Sequence, residues 1–225
     1  MDLNTTQKIT VWVVPIIFAI TIHEVAHGWV ASKFGDQTAR LSGRLTLNPV
    51  KHIDIIGTII VPLFFLMLGG FVFGWAKPVP VDARNLRNPR VDMALVAAAG
   101  PLTNIIMALM WAAFAKLGMA LLGAQIWFGV FFAYMGAAGI IINVVLAILN
   151  CLPVPPLDGG RILVSLLPGR LSWHFMRLES VVFLILIALM ISGWLWAIIG
   201  PPISFSIEFI ATLFDLPFAL FKAVS

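Results

Sequence analysis

Residues 11–31 read VWVVPIIFAITIHEVAHGWVA, an apolar run long enough to cross a membrane as a helix. Its second half contains three ionisable residues, His23, Glu24 and His27. A charge at the centre of a bilayer costs about 2.5–3.5 kcal/mol on insertion scales, so such residues usually have a function. A cleavable signal peptide has no use for them, and we therefore expect a retained helix.

The spacing of these residues predicts a metal site. Histidines four positions apart lie on one face of a helix, so His23 and His27 can reach a single ion, and Glu24 projects beside them as a candidate general base. His23 lies about 18 Å along the helix from Val11, which places the site inside the bilayer and nearer the cytosolic end. The alternative is a polar packing cluster that binds no metal.

The composition extends the membrane interpretation to the whole chain. Of its 225 residues, 61% are hydrophobic and 11% are charged, whereas soluble domains carry about 25% charged residues. The net charge of +4 comes from basic residues in loops beside apolar segments, where cations are expected on the cytosolic side, so we expect no nucleic-acid partner. The single cysteine excludes an intramolecular disulfide.

Apolar segments predict a mainly α, polytopic helical bundle that forms one membrane-embedded domain over residues 1–225. The last segment carries Glu208, Asp215 and Lys222 as one narrow polar stripe, which fits either an interfacial helix or one packed against the bundle. The predicted segments are Val11–Ala31, Ile55–Phe73, Asp92–Leu117, Ile126–Asn150, Leu178–Ile199 and the weaker Ile203–Phe221.

The segment Ile55–Phe73 decides the topology. If it spans the membrane, the basic loop residues divide between the two faces. If it enters and leaves from one face, nearly all of them share that face, and only Lys8 and Lys116 lie opposite. The positive-inside rule favours the second arrangement, and Pro62 and Gly69 offer break points. We therefore predict a re-entrant element with the N-terminus outside; an ordinary spanning helix is the alternative.

The stretches on either side of this segment predict two short strands. Residues 39–48 (ARLSGRLTLN) alternate leucines with polar or small residues, and residues 74–82 (GWAKPVPVD) are extended by their prolines. We expect a small membrane-associated β-sheet whose free edge holds an extended substrate by strand addition.

A third metal ligand must come from elsewhere, because a catalytic zinc generally has three protein ligands and one open position. Asp158 stands in a turn-rich run, NCLPVPPLDGG (residues 150–160), between a long and a short apolar segment. Taken alone, this run favours a carboxylate that caps the following helix. His52 and His174 are further candidates, although both lie in loop or interfacial contexts. A re-entrant second segment would bring the Asp158 turn to the same face as the HEVAH run.

Three motifs in this order resemble the site-2 protease family of intramembrane zinc metalloproteases. They are HEVAH at residues 23–27, AGPLTN at residues 99–104 and NCLPVPPLDGG at residues 150–160. The resemblance extends from about Thr10 to Leu167. It implies one Zn²⁺ per chain bound by His23, His27 and Asp158, with Glu24 catalytic, in a compact form without PDZ or CBS domains.

The expected activity is hydrolysis of peptide bonds within or next to the transmembrane segments of membrane proteins. The expected partners are a transmembrane protein or peptide substrate and the lipid bilayer, in a prokaryotic plasma membrane with the active site nearer the cytosolic face. Asn104 and Asn150 are candidate substrate or oxyanion contacts, and helix–helix hydrogen bonds or an end cap are the alternative roles.

Two other classes of function use the same residues. A membrane zinc carrier or sensor would bind metal without hydrolysis, and an inactive relative would only bind membrane partners. The presence of Glu24 argues against an inactive relative. The scarcity of further acidic residues at membrane depth argues against a carrier.

Overall fold

The computed structural model describes residues 3–61, 63 and 74–224, and these residues are mainly helical. Two 3₁₀ helices, Pro49–His52 and Ala83–Asn85, and a π-helix, Ile55–Ile60, lie between the second and third α-helices. The α-helices are α1 (Thr5–Lys33), α2 (Thr38–Leu41), α3 (Pro89–Gly123), α4 (Gly129–Asn150), α5 (Asp158–Leu166), α6 (Gly169–Arg177), α7 (Glu179–Ile191), α8 (Trp194–Leu213) and α9 (Phe218–Val224).

The lengths and compositions of the helices confirm an integral membrane protein. Among the described residues, α1, α3, α4 and α8 are long and apolar enough to cross a bilayer. Helices α6 and α7 pass the same test together, with a bend of 54° between them, and would make a fifth span if the pair is continuous. A multi-pass protein was the prediction from composition.

The chain divides into two compact units, and the prediction of a single domain stays a prediction. The first unit comprises Met1–Ala19, Leu102–Leu149 and Ile199–Ser225. Within it, α3 and α4 approach closely through small residues: a side chain at Gly136 would collide with Ala115, and one at Gly118 would collide with the backbone of Ala133. Small residues of this kind let membrane helices pack without a hydrophobic driving force.

The second unit comprises Ile20–Pro101 and Asn150–Ile198. Its buried core joins Ala31 at the end of α1, Leu86 and Val96 on α3. Beside this core, the fully buried Asp36 accepts hydrogen bonds from the backbone N–H of Thr38 and of Asp82 and from the side chain of Asn85. This carboxylate therefore ties the end of α1 to residues 82–85.

The predicted β-sheet is wrong for the described residues, which form no strand. Residues 38–41 are helical, turns and bends lie within residues 42–47, and residues 74–82 have no regular secondary structure. Side chains take the place of a ladder: the Arg44 guanidinium donates to the carbonyls of Lys77 (2.7 Å) and Pro78 (3.3 Å). Pro78 and Pro80 have no N–H to offer to a neighbouring strand.

The boundary between the last two predicted segments is also wrong. We expected a break near residues 200–202, where Gly200, Pro201 and Pro202 follow one another, but both prolines lie inside α8. The chain breaks instead at Gly193, which has a φ of +81°. Proline is tolerated in membrane helices, whereas a left-handed glycine ends a helix.

The predicted polar stripe on the last segment is wrong as well. Because α8 ends at Leu213, Glu208, Asp215 and Lys222 do not share one helix. Asp215 lies in the break, with a φ of 52°, and forms an exposed ion pair with Lys116 at 3.0 Å.

The re-entrant prediction falls partly outside the described residues, since these omit 62 and 64–73 of the segment 55–73. The flanks are described, and they meet. The N–H of Trp75 donates to the carbonyl of Gly57 at 3.0 Å, and the hydroxyl of Thr58 donates to the carbonyl of Trp75 at 2.9 Å. The chain that leaves at Thr58 has therefore returned to the same point at Trp75.

Candidate metal centre

The structure brings together three side chains that could hold a metal ion, and helix α1 supplies two of them. His23 and His27 are one helical turn apart, and their rings meet edge to face with centroids 4.7 Å apart. Their Nε2 atoms are separated by 3.1 Å, and both residues are buried. The HEVAH spacing thus places both imidazole donors at one point, as predicted from helical geometry.

Asp158 supplies the third donor. It is the first residue of α5, and its Oδ2 lies 3.1 Å from Nε2 of His23 and 3.2 Å from Nε2 of His27. Leu157 occupies the N-cap position, and no side chain caps the helix. The carboxylate therefore turns towards the histidines instead of capping α5, which was the preferred role when the run was considered alone.

Two glycines allow the Asp158 turn to fold tightly. A side chain at Gly159 would collide with the carbonyls of Cys151 and Leu152, and one at Gly160 would collide with the backbone of Val154 and Pro155. The backbone of residues 151–155 therefore lies directly against Gly159 and Gly160. Cys151, the first residue of this contact, is exposed.

The donor set fits zinc. Three donor atoms 3.1–3.2 Å apart form a nearly equilateral triangle, and ligands around tetrahedral zinc, with bonds of about 2.0–2.2 Å, lie about 3.3 Å from one another. Two imidazoles and a carboxylate are a known ligand set for catalytic zinc. Oδ2 of Asp158 is buried and has no conventional hydrogen-bond partner, as expected of an atom kept for a metal.

A backbone carbonyl orients one ligand. Nδ1 of His27 lies 2.7 Å from the carbonyl oxygen of Val96 on α3. A carbonyl oxygen only accepts, so Nδ1 carries the proton and Nε2 keeps its lone pair for the metal. The ring of His27 is thus fixed in the tautomer that a metal ligand requires.

Helix α3 approaches both imidazoles at Gly100. A methyl group at this position would lie 2.5 Å from Cε1 of His23 and 2.5 Å from Nε2 of His27. Real side-chain carbons do not come so close to other heavy atoms. Gly100 is therefore a steric requirement of the site.

Glu24 lies next to His23 in the chain and is half-buried. Its Oε2 accepts a hydrogen bond of 2.7 Å from the backbone N–H of Val79, which lies in the irregular residues 74–82. The candidate base is thus held by main chain that follows the segment 55–73.

A family model described as peptidase family M50 matches this chain over residues 11–126 and 116–193. The matched residues include His23, Glu24, His27 and Asp158. The chain belongs to peptidase family M50. The resemblance to site-2 proteases that the three motifs indicated is thereby confirmed at the level of the family.

Individual relatives are similar to most of the chain or to part of it. "Putative zinc metalloprotease YwhC" of Bacillus subtilis is 38% identical over 210 residues, which cover 92% of this chain and 91% of that protein. "Putative zinc metalloprotease Rip2" of Mycobacterium tuberculosis is 31% identical over 144 residues, which cover 64% of this chain and 52% of Rip2. The Rip2 protein of Mycolicibacterium smegmatis is 29% identical over the same shares. No solved structure matches the chain.

The amide candidates of this M50 chain lie in different places. Asn104 is fully buried on α3 and donates to Oδ1 of Asn143 at 2.8 Å and to the carbonyl of Ala19 at 3.3 Å. Asn150 is the last residue of α4. A role for either in substrate or oxyanion binding stays a prediction.

The other two candidate ligands are not part of the metal-ligating cluster. Nε2 of His52 pairs with the carbonyl of Thr46 at 2.9 Å, and Nδ1 of His174 pairs with the carbonyl of Arg170 at 2.8 Å. Sequence reasoning assigned no role to Gly100, Val96 or Val79. Only Gly100 carried a signal, since it stands in the AGPLTN motif of the M50 resemblance.

Proposed function

We propose that this protein is an intramembrane zinc metalloprotease that hydrolyses peptide bonds within or next to the transmembrane segments of membrane proteins. One observation carries the proposal: Nε2 of His23, Nε2 of His27 and Oδ2 of Asp158 lie within 3.2 Å of one another. His23 and His27 lie on a candidate membrane span that also carries Glu24. The names of the M50 relatives support zinc as the metal.

Each residue has a distinct role in this mechanism. His23, His27 and Asp158 would hold zinc, which supplies Lewis-acid activation of water and of the scissile carbonyl. Glu24 accepts a proton from the attacking water and delivers it to the leaving amide nitrogen. Val96 keeps His27 in the tautomer that can ligate.

The substrate has to unwind locally before it is cleaved. A peptide bond inside a helix is sterically shielded, and its carbonyl is already hydrogen-bonded within the helix. Cleavage therefore requires an extended segment of the substrate at the site, and helix-destabilising residues near the scissile bond should favour it.

The depth of the site follows from its place on α1. His27 is six residues from the last residue of α1, Lys33, a distance of about 9 Å along the helix axis. With the N-terminus outside a prokaryotic plasma membrane, this position is nearer the cytosolic face. The contact between Trp75 and Gly57 supports the re-entrant segment that this topology requires.

A zinc carrier or sensor is the competing function. A carrier needs successive ligand groups along a pathway, but the described residues contain a single group able to hold a metal, His23 with His27 and Asp158. Glu24 also has no role in a carrier that binds through those three. These observations favour hydrolysis.

The decisive experiment compares the wild-type protein with Glu24→Gln on a model transmembrane substrate in liposomes. Glu24→Gln should keep about one zinc per chain, because the three ligands are unchanged, and should lose cleavage. Glu208→Gln makes the same change at an exposed position on α8 and should cleave normally. Cleavage at the wild-type rate by Glu24→Gln, or a wild-type protein that binds zinc without cleaving, would contradict the proposal.

A further inference from the structure

The backbone at Lys77–Val79 is fixed from several sides. The N–H of Lys77 donates to the carbonyl of His52 at 2.9 Å. Arg44 donates to the carbonyls of Lys77 and Pro78 at 2.7 and 3.3 Å. The N–H of Val79 then donates to Oε2 of Glu24 at 2.7 Å. This short piece of main chain thus connects Arg44 to the candidate base.

The sequence around Val79 leaves one backbone donor for Glu24. Pro78 and Pro80 have no N–H, so Val79 has the only amide proton within residues 78–80. The flanking rings also restrict the local backbone. The side chain of Val79 is buried, and its Cγ1 lies 2.8 Å from where a side chain at Gly28 would begin, one turn beyond Glu24 on α1. The N–H of Val79 and the carboxylate of Glu24 are therefore held within hydrogen-bond distance of each other.

The burial of the Arg44 guanidinium costs free energy. Arg44 is 8% exposed, and its Nε has no hydrogen-bond partner among the described residues. Within that part of the chain, Arg44 forms no ion pair, and its guanidinium donates to main-chain carbonyls. Burying a charge without a counterion is costly, which indicates that the exact course of residues 77–79 matters.

From this geometry we infer that Arg44 is a positioning residue for Glu24: it fixes the Lys77–Pro78 backbone so that the N–H of Val79 orients the catalytic carboxylate. The inference rests on the proposed protease function. Arg44 touches neither substrate nor metal in this role. It acts through the peptide group that joins Pro78 to Val79.

The first test replaces the guanidinium. Arg44→Met should lower kcat by about 10- to 100-fold, the usual range for residues that orient a catalytic group through a hydrogen bond, while KM and the zinc content stay at the wild-type values. Arg44→Lys keeps a cation that can reach one carbonyl, so its kcat should lie between the two. Arg40→Met removes an arginine that is exposed on α2 and should leave kcat unchanged.

A second test removes the N–H itself. Replacing the Pro78–Val79 amide by an ester keeps the valine side chain and deletes the donor to Glu24. The ester also weakens the Pro78 carbonyl as an acceptor, but the shorter contact of Arg44, to the carbonyl of Lys77, is unchanged. Its kcat should fall as in Arg44→Met, and the combination with Arg44→Met should lose far less than the product of the two separate losses, because both changes act on one interaction. If Arg44→Met does not fold, Arg44→Lys takes its place in this combination, and the same coupled loss is expected.

A spectroscopic readout needs no substrate. In ¹⁵N-valine-labelled protein, the Val79 amide proton, identified by its loss in Val79→Leu, should be shifted downfield by its carboxylate acceptor. It should move upfield in Glu24→Ala and in Arg44→Met, but not in Arg40→Met. An unchanged Val79 resonance and an unchanged kcat in folded Arg44→Met would overturn the inference. Failure of the proposed function looks different, because the wild-type protein would then not cleave or Glu24→Gln would.

Discussion

Gly100 lies so close to His27 that a single added methyl group at residue 100 would come within 2.5 Å of the Nε2 atom that faces Asp158. The same methyl group would lie 2.5 Å from Cε1 of His23. Because the main chain of α3 also holds Nδ1 of His27 through the carbonyl of Val96, this helix sets the position of the imidazole from two sides. The metal centre therefore depends on a residue that cannot ligate.

Gly100→Ala should weaken zinc binding. The added carbon pushes both imidazoles away from Asp158, and disturbing groups that orient metal ligands usually costs about 10- to 100-fold in affinity. Zinc retention during titration with a chelator measures the effect. Gly123→Ala is the matched control, since an added carbon at that end of α3 meets nothing within 4 Å. Equal zinc affinity in the two variants would show that α3 shifts to accommodate the added carbon, and would contradict this prediction.

Sequence reasoning reached the residues whose chemistry is local. The HEVAH spacing alone places His23 and His27 on one helical face, and the structure confirms that their donor atoms meet. Asp158 could not be assigned in this way, because its run alone favours a helix cap. The predicted re-entrant topology and the resemblance of the three motifs favoured it as a ligand.

The failures concern residues whose partners are distant in the chain. The extended residues 74–82 looked like a strand, but whether a ladder forms depends on a neighbouring backbone, and the side chain of Arg44 takes that place. The break at Gly193 was missed because two prolines nearby are stronger breakers in water than in a membrane helix. Neither the missing ladder nor the position of the helix break can be deduced from a local sequence pattern.

Asp36 provides a prediction about stability. Asp36→Asn should lower the thermal stability, because the buried carboxylate accepts hydrogen bonds from Thr38, Asp82 and Asn85, and an amide offers one of them a donor instead. A loss of about 1–3 kcal/mol is expected for one unsatisfied buried group. Thermal unfolding in detergent measures it. Asp215→Asn, which removes an exposed ion pair with Lys116, should have little effect.

The pH dependence of this loss follows from the pKa of Asp36. Burial raises that pKa, but the hydrogen bonds from Thr38, Asp82 and Asn85 outweigh burial and hold it below its ordinary value. A carboxyl whose pKa is lowered on folding stabilises the protein above its unfolded-state pKa, which is about 3.9, and this contribution disappears as the pH falls through the folded-state value. The difference between wild type and Asp36→Asn should be constant at neutral pH and shrink in acid. A difference that grows in acid would contradict this assignment.

The buried pair of Asn104 and Asn143 should behave as one unit. Asn104 donates to Asn143, which in turn donates to the carbonyl of Gly139. Each alanine substitution should lower stability, and the double variant should lose less than the sum, with a coupling of about 0.6–1.7 kcal/mol for a hydrogen bond between membrane helices. Additive losses, with a fall in kcat for Asn104→Ala alone, would point instead to a substrate contact.

The two topologies place Ser42 on different faces. If residues 55–73 are re-entrant, Ser42 lies on the same face as Arg170, and Ala124, between α3 and α4, lies opposite. If they span the membrane, Ser42 lies with Ala124 and Arg170 lies opposite. Because Cys151 is the only cysteine, a Cys151→Ala background allows one new cysteine at each of these exposed or loop positions.

An impermeant maleimide then separates the two topologies. Ser42→Cys and Arg170→Cys should react in inside-out vesicles and not in intact cells, whereas Ala124→Cys should do the reverse. A separate labelling of permeabilised membranes identifies thiols that the maleimide cannot reach from either side. Labelling of Ser42→Cys together with Ala124→Cys would put the C-terminal end of α1 and the turn of Asp158 on opposite faces. No single ion could then bind His27 and Asp158, so the protease proposal depends on this outcome.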